Sequence, residues 1–220
     1  MTSWQVLPEE RRMLYSPVGL RMLDDFTGRA PSGSLEILLD VQDSNGQWHE
    51  VDVHPVRTPS EVITYPGLGR SAHAATQPLM RYRVRIDGEY YRPDYLINLD
   101  GVEFDNLAYD DQNPPPVVPI VPQDLFLLPA TNYPFPRHIR VLRGHVEDNA
   151  GDPVANVEVT EGPRERVLTD ERGTFSLPLR WPGLNAAVVI DAVDHRTGHA
   201  GQLNINLPGD LSGAHTIIIT

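Results

Sequence analysis

Apolar positions along this chain recur mostly at every second residue, in short runs closed by turn-forming residues. Ser34-Leu-Glu-Ile-Leu-Leu-Asp-Val41, Trp48-His-Glu-Val-Asp-Val-His54, Glu61-Val-Ile-Thr-Tyr65 and Arg81-Tyr-Arg-Val-Arg-Ile-Asp87 are β-branched or aromatic segments, bounded by Pro31-Ser-Gly33, Asn45-Gly46, Pro66-Gly67 and Asp87-Gly88. A period of two turns one side of each segment to a core and the other to water, as in a half-buried strand. Asn45-Gly46 between two such runs predicts a hairpin. Seven more strands are expected at 139–147, 154–160, 166–169, 174–179, 186–193, 202–206 and 216–220. Residues 8–15, starting at Pro8 with Glu9 and Glu10 next, read as a short helix. Strands at this spacing predict an all-β protein of two small β-sandwich domains.

Four segments follow from this pattern: an N-terminal arm or short helix (1–18), an N-terminal sandwich (19–111), a proline-rich connector (112–137) and a C-terminal sandwich (138–220). The connector contains Pro114, Pro115, Pro116, Pro119, Pro122, Pro129, Pro134 and Pro136. Proline lacks the N–H that a sheet ladder needs, so this stretch is expected to run extended, outside any central strand. Val118, Ile120, Leu125, Phe126 and Leu128 make it too apolar for a freely solvated linker. It is read as a semi-rigid strap packed on the domains, or as an arm docking on a neighbouring subunit.

In the C-terminal segment the pattern becomes specific. Gly144-His-Val146-Glu-Asp148-Asn-Ala-Gly151-Asp-Pro153-Val-Ala-Asn-Val157, followed by Thr169-Asp170-Glu-Arg-Gly173-Thr-Phe175, resembles the carboxypeptidase regulatory-like (transthyretin-type) β-sandwich family. The resemblance implies that Val146, Val157 and Phe175 point into a core and that Asp148–Pro153 and Asp170–Gly173 turn the chain. It implies little about activity, since function resides in sites placed on a fold. A faint echo, Leu20-Arg-Met-Leu-Asp-Asp-Phe-Thr-Gly28 through Pro31 to Ile37, also runs strand, turn, strand, and is consistent with a divergent second copy.

Charge and composition narrow the chemistry. The chain of 220 residues has a net charge of −12, no cysteine and no lysine, all 18 basic residues being arginines. The acidic balance argues against a nucleic-acid partner, which requires clustered cations. Without cysteine there are no disulfides, thiolate ligands or thiol nucleophiles. No apolar run reaches the roughly 20 residues of a membrane helix, so no membrane insertion is expected. The start has no leader-like pattern, which predicts synthesis in the cytoplasm.

Candidate sites each have a plainer reading. Pro136-Arg-His138-Ile-Arg140 is superficially similar to an iron-binding segment of intradiol dioxygenases, yet no tyrosine follows it. His195 and His199 have the spacing of paired ligands on a helix, but Gly198 makes the segment a hairpin tip. Asp100, Glu103, Asp105, Asp110 and Asp111 form an acidic patch whose spacing fits no calcium loop. Gly67-Leu-Gly69-Arg-Ser-Ala72 matches a loose dinucleotide pattern but lacks the following helix. Trp48, Trp181, Tyr90, Tyr91 and Tyr95 are candidate stacking platforms. No catalytic, cofactor or metal residue is assigned. The expectation is a non-enzymatic structural or adaptor protein that meets other subunits in a phage tail, baseplate or contractile injection particle, and so resides in a virion or extracellular particle. The alternative is a module that binds carbohydrate or a cell surface.

Overall fold

The computed structural model describes residues 14–95, 100–115 and 121–220. The protein is all-β. The N-terminal half contains β1 (Gly19–Asp24), β2 (Leu35–Gln42), β3 (Trp48–Val51), β4 (Val56–Arg57), β5 (Val62–Thr64), β6 (Met80–Gly88), β7 (Tyr91–Pro93), β8 (Val102–Asn106) and β9 (Gln123–Pro129). The C-terminal half contains β10 (Arg140–Glu147), β11 (Glu158–Glu161), β12 (Glu165–Leu168), β13 (Thr174–Leu179), β14 (Ala187–Val193), β15 (Ala200–Asn206) and β16 (Thr216–Ile218).

The N-terminal strands form one curled sheet in the order β3-β2-β6-β7-β9-β1-β5-β4, with β8 also paired to β6. A single residue pair, Gly88 with Tyr91, joins β6 to β7. The sheet bends at this corner, where a Cβ on Gly88 would lie 2.8 Å from the Leu35 side chain. The two arms close over Leu20, Met22, Leu39, Ile63, Tyr65, Val84, Leu125 and Leu127. In β1 the alternation is strict, with Leu20, Met22 and Asp24 buried on one side.

The C-terminal half packs a three-stranded sheet, β13-β10-β16, on a four-stranded one, β12-β11-β14-β15. Its core comprises Leu142, Val146, Val157, Val159, Val167, Phe175, Leu177, Ile190, Ile205 and Ile217. The motif residues lie within this half. Gly144 passes so close to Phe175 that a Cβ would sit 2.7 Å from the ring. Gly151 and Gly173 have positive φ (84° and 70°), and a Cβ on Gly173 would also overlap the Val146 carbonyl. Thr169 is buried; its hydroxyl accepts from Val157 N–H (2.9 Å) and donates to Val154 O (2.7 Å).

Several expectations are corrected. Residues 123–129 of the proposed connector are β9, which runs parallel to β1 and antiparallel to β7 in the middle of the sheet. The prolines flank this strand at Pro122 and Pro129, so the N–H groups from Gln123 to Leu128 are free to pair. Leu125 and Leu128 are therefore core residues, and only Phe126, 39% exposed, faces outward. Pro114 and Pro115 lie in coil; Pro116, Val118 and Ile120 fall outside the described residues, as does most of the expected helix at 8–15. The strand expected at 154–160 begins at Glu158, because Asn156 takes a positive φ of 58°. The strand from Trp48 stops at Val51.

Candidate functional site: the junction and its cleft

Aspartate-led turns order several loop ends. Asp43, Asp148 and Asp170 each accept two backbone N–H bonds from residues two and four positions on, at 2.8–3.0 Å. A carboxylate doing this replaces the ladder partners that the turn removes. Two further turns share a longer pattern, Asp-x-x-Thr-Gly. Asp24 accepts from Phe26 N–H (2.9 Å) and the Thr27 hydroxyl (2.8 Å), and Asp194 accepts from Arg196 N–H (3.0 Å) and the Thr197 hydroxyl (3.0 Å). Each closes with a backbone bond to the residue five on, Arg29 or His199. This recurrence relates Leu20–Arg29 to Ile190–His199, a different pairing from the echo expected with residues 144–159.

These two turns frame the boundary between the halves. From the first, Asp25 accepts from Arg166 Nη2 (3.0 Å) while Arg166 Nη1 reaches Asp94 (2.6 Å). Burial alone would lower the Arg166 pKa, but the two carboxylates outweigh it and raise it. Arg180 pairs with buried Glu165, donates to the Phe26 carbonyl (2.7 Å) and lies 4.1 Å from the Phe26 ring centre. Arg92 donates to Asn156 and Glu171, both at 2.9 Å, and holds the Glu171 carboxyl below its usual range. The Ser176 hydroxyl donates to Thr131 O (3.2 Å). Ser176 and Pro178 face away from the sandwich core, yet β13 is buried on both sides, because one side abuts the N-terminal half.

Beside these contacts opens a cleft of about 690 Å³, lined on one side by Asp87, Arg92, Asp94, Tyr95 and Asp100 and on the other by Glu158, Arg166, Glu171, His195 and Arg196. His195 Nε2 lies 2.8 Å from Glu158 Oε2, and Arg196 is held by Asp194 (3.1 Å) and the Ala155 carbonyl. The Tyr95 hydroxyl accepts from Ile86 N–H (2.7 Å), and burial raises its pKa. The walls thus carry fixed carboxylates, guanidinium groups, an imidazole and a phenol ring.

The remaining candidates are dispersed. His195 and His199 occupy the β14–β15 turn, with His195 engaged by Glu158. Asp110 caps Gln112 and Asn113, and Asp111 pairs with Arg70. Among the described residues no group of three His, Asp or Glu side chains could hold a metal ion. Trp48 carries Arg83 on its ring (4.6 Å), and Tyr91 is buried against Asp24 (3.4 Å). Tyr91 and Tyr95, of the five aromatic candidates, line the cleft. Sequence inspection did not single out Arg92, Arg166, Arg180 or Arg196; the paired Asp-x-x-Thr-Gly strings were the available signal.

No family model matches the chain, and no curated protein matches it. Among solved structures it aligns with the Bacillus anthracis TIE protein at 10% identity, over 94% of this chain and 33% of that one, with a TM-score of 0.28. The chain thus spans about a third of that protein. It also aligns with a C-terminal fragment of the pilus adhesin SpaC from Lactobacillus rhamnosus GG at 12% identity, over 92% and 95% of the two chains, with a TM-score of 0.22. Scores this low carry no argument about function.

Proposed function

We propose that the chain is a non-catalytic recognition module of the cell-surface-binding kind, in which the cleft between the curled N-terminal sheet and the C-terminal β-sandwich takes a carbohydrate. The observation behind this reading is the cleft lining. Planar carboxylate and guanidinium groups pair well with vicinal hydroxyls, and Tyr95 offers a ring beside them. Arginine pairing of Glu171 keeps it ionised, whereas a general acid or base needs a pKa near the working pH. The arginine contacts across the boundary would fix the two walls before ligand arrives, which reduces the ordering cost of binding.

The test is glycan-array binding followed by titration calorimetry on the intact chain. Binding by the parent and at least tenfold weaker binding by Arg196→Ala and Tyr95→Ala are expected. A glycan bound equally by parent and both variants would reject the cleft, and no retained glycan would reject the carbohydrate reading.

A further inference from the structure

Tryptophan is highly buried on average, yet Trp181, on the loop between β13 and β14, is 55% exposed. Its surroundings are nevertheless fixed. Arg140 donates to the carbonyls of Pro182 and Gly183, the two residues that follow it. Arg164 lies 4.9 Å and Arg180 5.6 Å from the indole ring centre. Arg180 is itself held by Glu165 and by the Phe26 carbonyl. The ring is therefore ordered and still open, the two properties that a stacking platform needs.

This platform is continuous with the wall of the cleft. Arg166, which lines the cleft, donates to Asp25. The next residue, Phe26, lies 4.1 Å from the guanidinium of Arg180, the chain neighbour of Trp181. A second link runs along β12. Arg164 directly precedes this strand, so two residues of extended chain, about 7 Å, separate it from Arg166. Phe126, with Arg166 at 5.6 Å from its ring centre, adds another partly exposed aromatic face beside the same arginine. Tyr95, Phe126 and Trp181 thus offer rings along one boundary between the halves.

Charge along this path is balanced. Asp25 and Asp94 are bound by Arg166, Glu165 is bound by Arg180, and Glu161 is close enough to Arg164 to feel its charge. Paired ions keep spare lone pairs and N–H groups but little net field, which suits an uncharged polyol better than a polyanion. We infer that the binding site continues from the cleft over Arg166 to Trp181, and that its ligand is a neutral oligosaccharide lying along this wall, not a single terminal sugar. The extended site rests on the carbohydrate reading of the cleft, to which it adds ligand length, an uncharged class of sugar and Trp181 as the distal platform.

The test is titration calorimetry of the intact chain with neutral manno-, xylo-, cello- and malto-oligosaccharides of increasing length. In a series that binds, affinity should rise about tenfold from the shortest to the longest member. Trp181→Ala should remove that gain and leave the short sugar bound as before, which also shows the variant folded. Trp181→Phe, which keeps a ring on the loop, should retain most of the gain. Tyr95→Ala, at the cleft end, should weaken long and short members alike. Affinity that ignores ligand length, or a Trp181→Ala variant that binds every length like the parent, overturns the extension and leaves the cleft reading intact. Loss at all lengths on Trp181→Ala with none on Tyr95→Ala places the site on the loop alone and overturns both. Failure of every neutral series overturns the extension; a glycan array then separates the two readings, since a retained acidic glycan spares the cleft and an empty array rejects it.

Discussion

The turns Asp24–Arg29 and Asp194–His199 have the same aspartate, threonine and glycine at the same spacing, yet they serve the molecule differently. The first sends Asp25 and Phe26 across the boundary to Arg166 and Arg180. The second places His195 and Arg196 at the open cleft. Local geometry is identical because the carboxylate and the threonine hydroxyl dictate it. Use is decided by the two intervening residues, an acid and an aromatic in one case and an imidazole and a guanidinium in the other. A similar economy joins the halves at a larger scale. In each, the first strand pairs in parallel with the last, β1 with β9 and β10 with β16.

The largest effect separating the two turns should come from Asp24. Besides its own turn it accepts from the Tyr133 hydroxyl (2.8 Å), and burial together with Asp24 raises the Tyr133 pKa. Asp24→Ala leaves buried donors without partners and should cost about 4 kcal/mol in denaturant unfolding. Asp194→Ala loses the turn alone and should cost about 2 kcal/mol. Equal losses would mean that the tyrosine contacts add nothing. Arg166→Ala strips both Asp25 and Asp94 of their partner and should weaken the junction by about 3 kcal/mol, after discounting for partial exposure. Its signature is a larger radius of gyration in X-ray scattering with unchanged circular dichroism.

Acid should distinguish the halves less strongly. Burial would raise the Asp40 pKa, but hydrogen bonds from Arg85 (2.7 Å) and Arg83 (2.8 Å) outweigh it, so the folded value lies below the ordinary one. Its contribution is therefore present above the unfolded pKa of about 4 and is lost as pH falls through the lower folded value. Asp194 behaves likewise: burial raises, and bonds to Arg196 and Thr197 lower. Asp40→Asn should flatten the stability profile below about pH 4 by about 1–2 kcal/mol relative to neutral pH. The smallest change is His195→Ala, which should alter stability by less than about 0.5 kcal/mol while reducing any cleft binding.

Much of this architecture was legible as periodicity. Val84 and Ile86 alternate with Arg83, Arg85 and Asp87, and Asn45-Gly46 and Gly173 mark turns whose backbone they permit. The strand Gln123–Pro129 was obscured because prolines at both ends dominate its composition, although the six residues between Pro122 and Pro129 all carry N–H groups. The cleft was less legible still. Arg92, Arg166 and Arg180 resemble any surface arginine in one dimension; only folding brings them opposite Glu171, Asp94 and the Phe26 carbonyl. Paired Asp-x-x-Thr-Gly strings hint at a repeated turn but not at which copy docks.

Carbohydrate binding in the cleft requires the two halves to act as one body, and calorimetric unfolding of the intact chain alongside Arg166→Ala/Arg180→Ala tests this most directly. One cooperative transition in the parent that splits into two in the double variant is the expected result. Two separate transitions in the parent, unmoved by the double substitution, would contradict it.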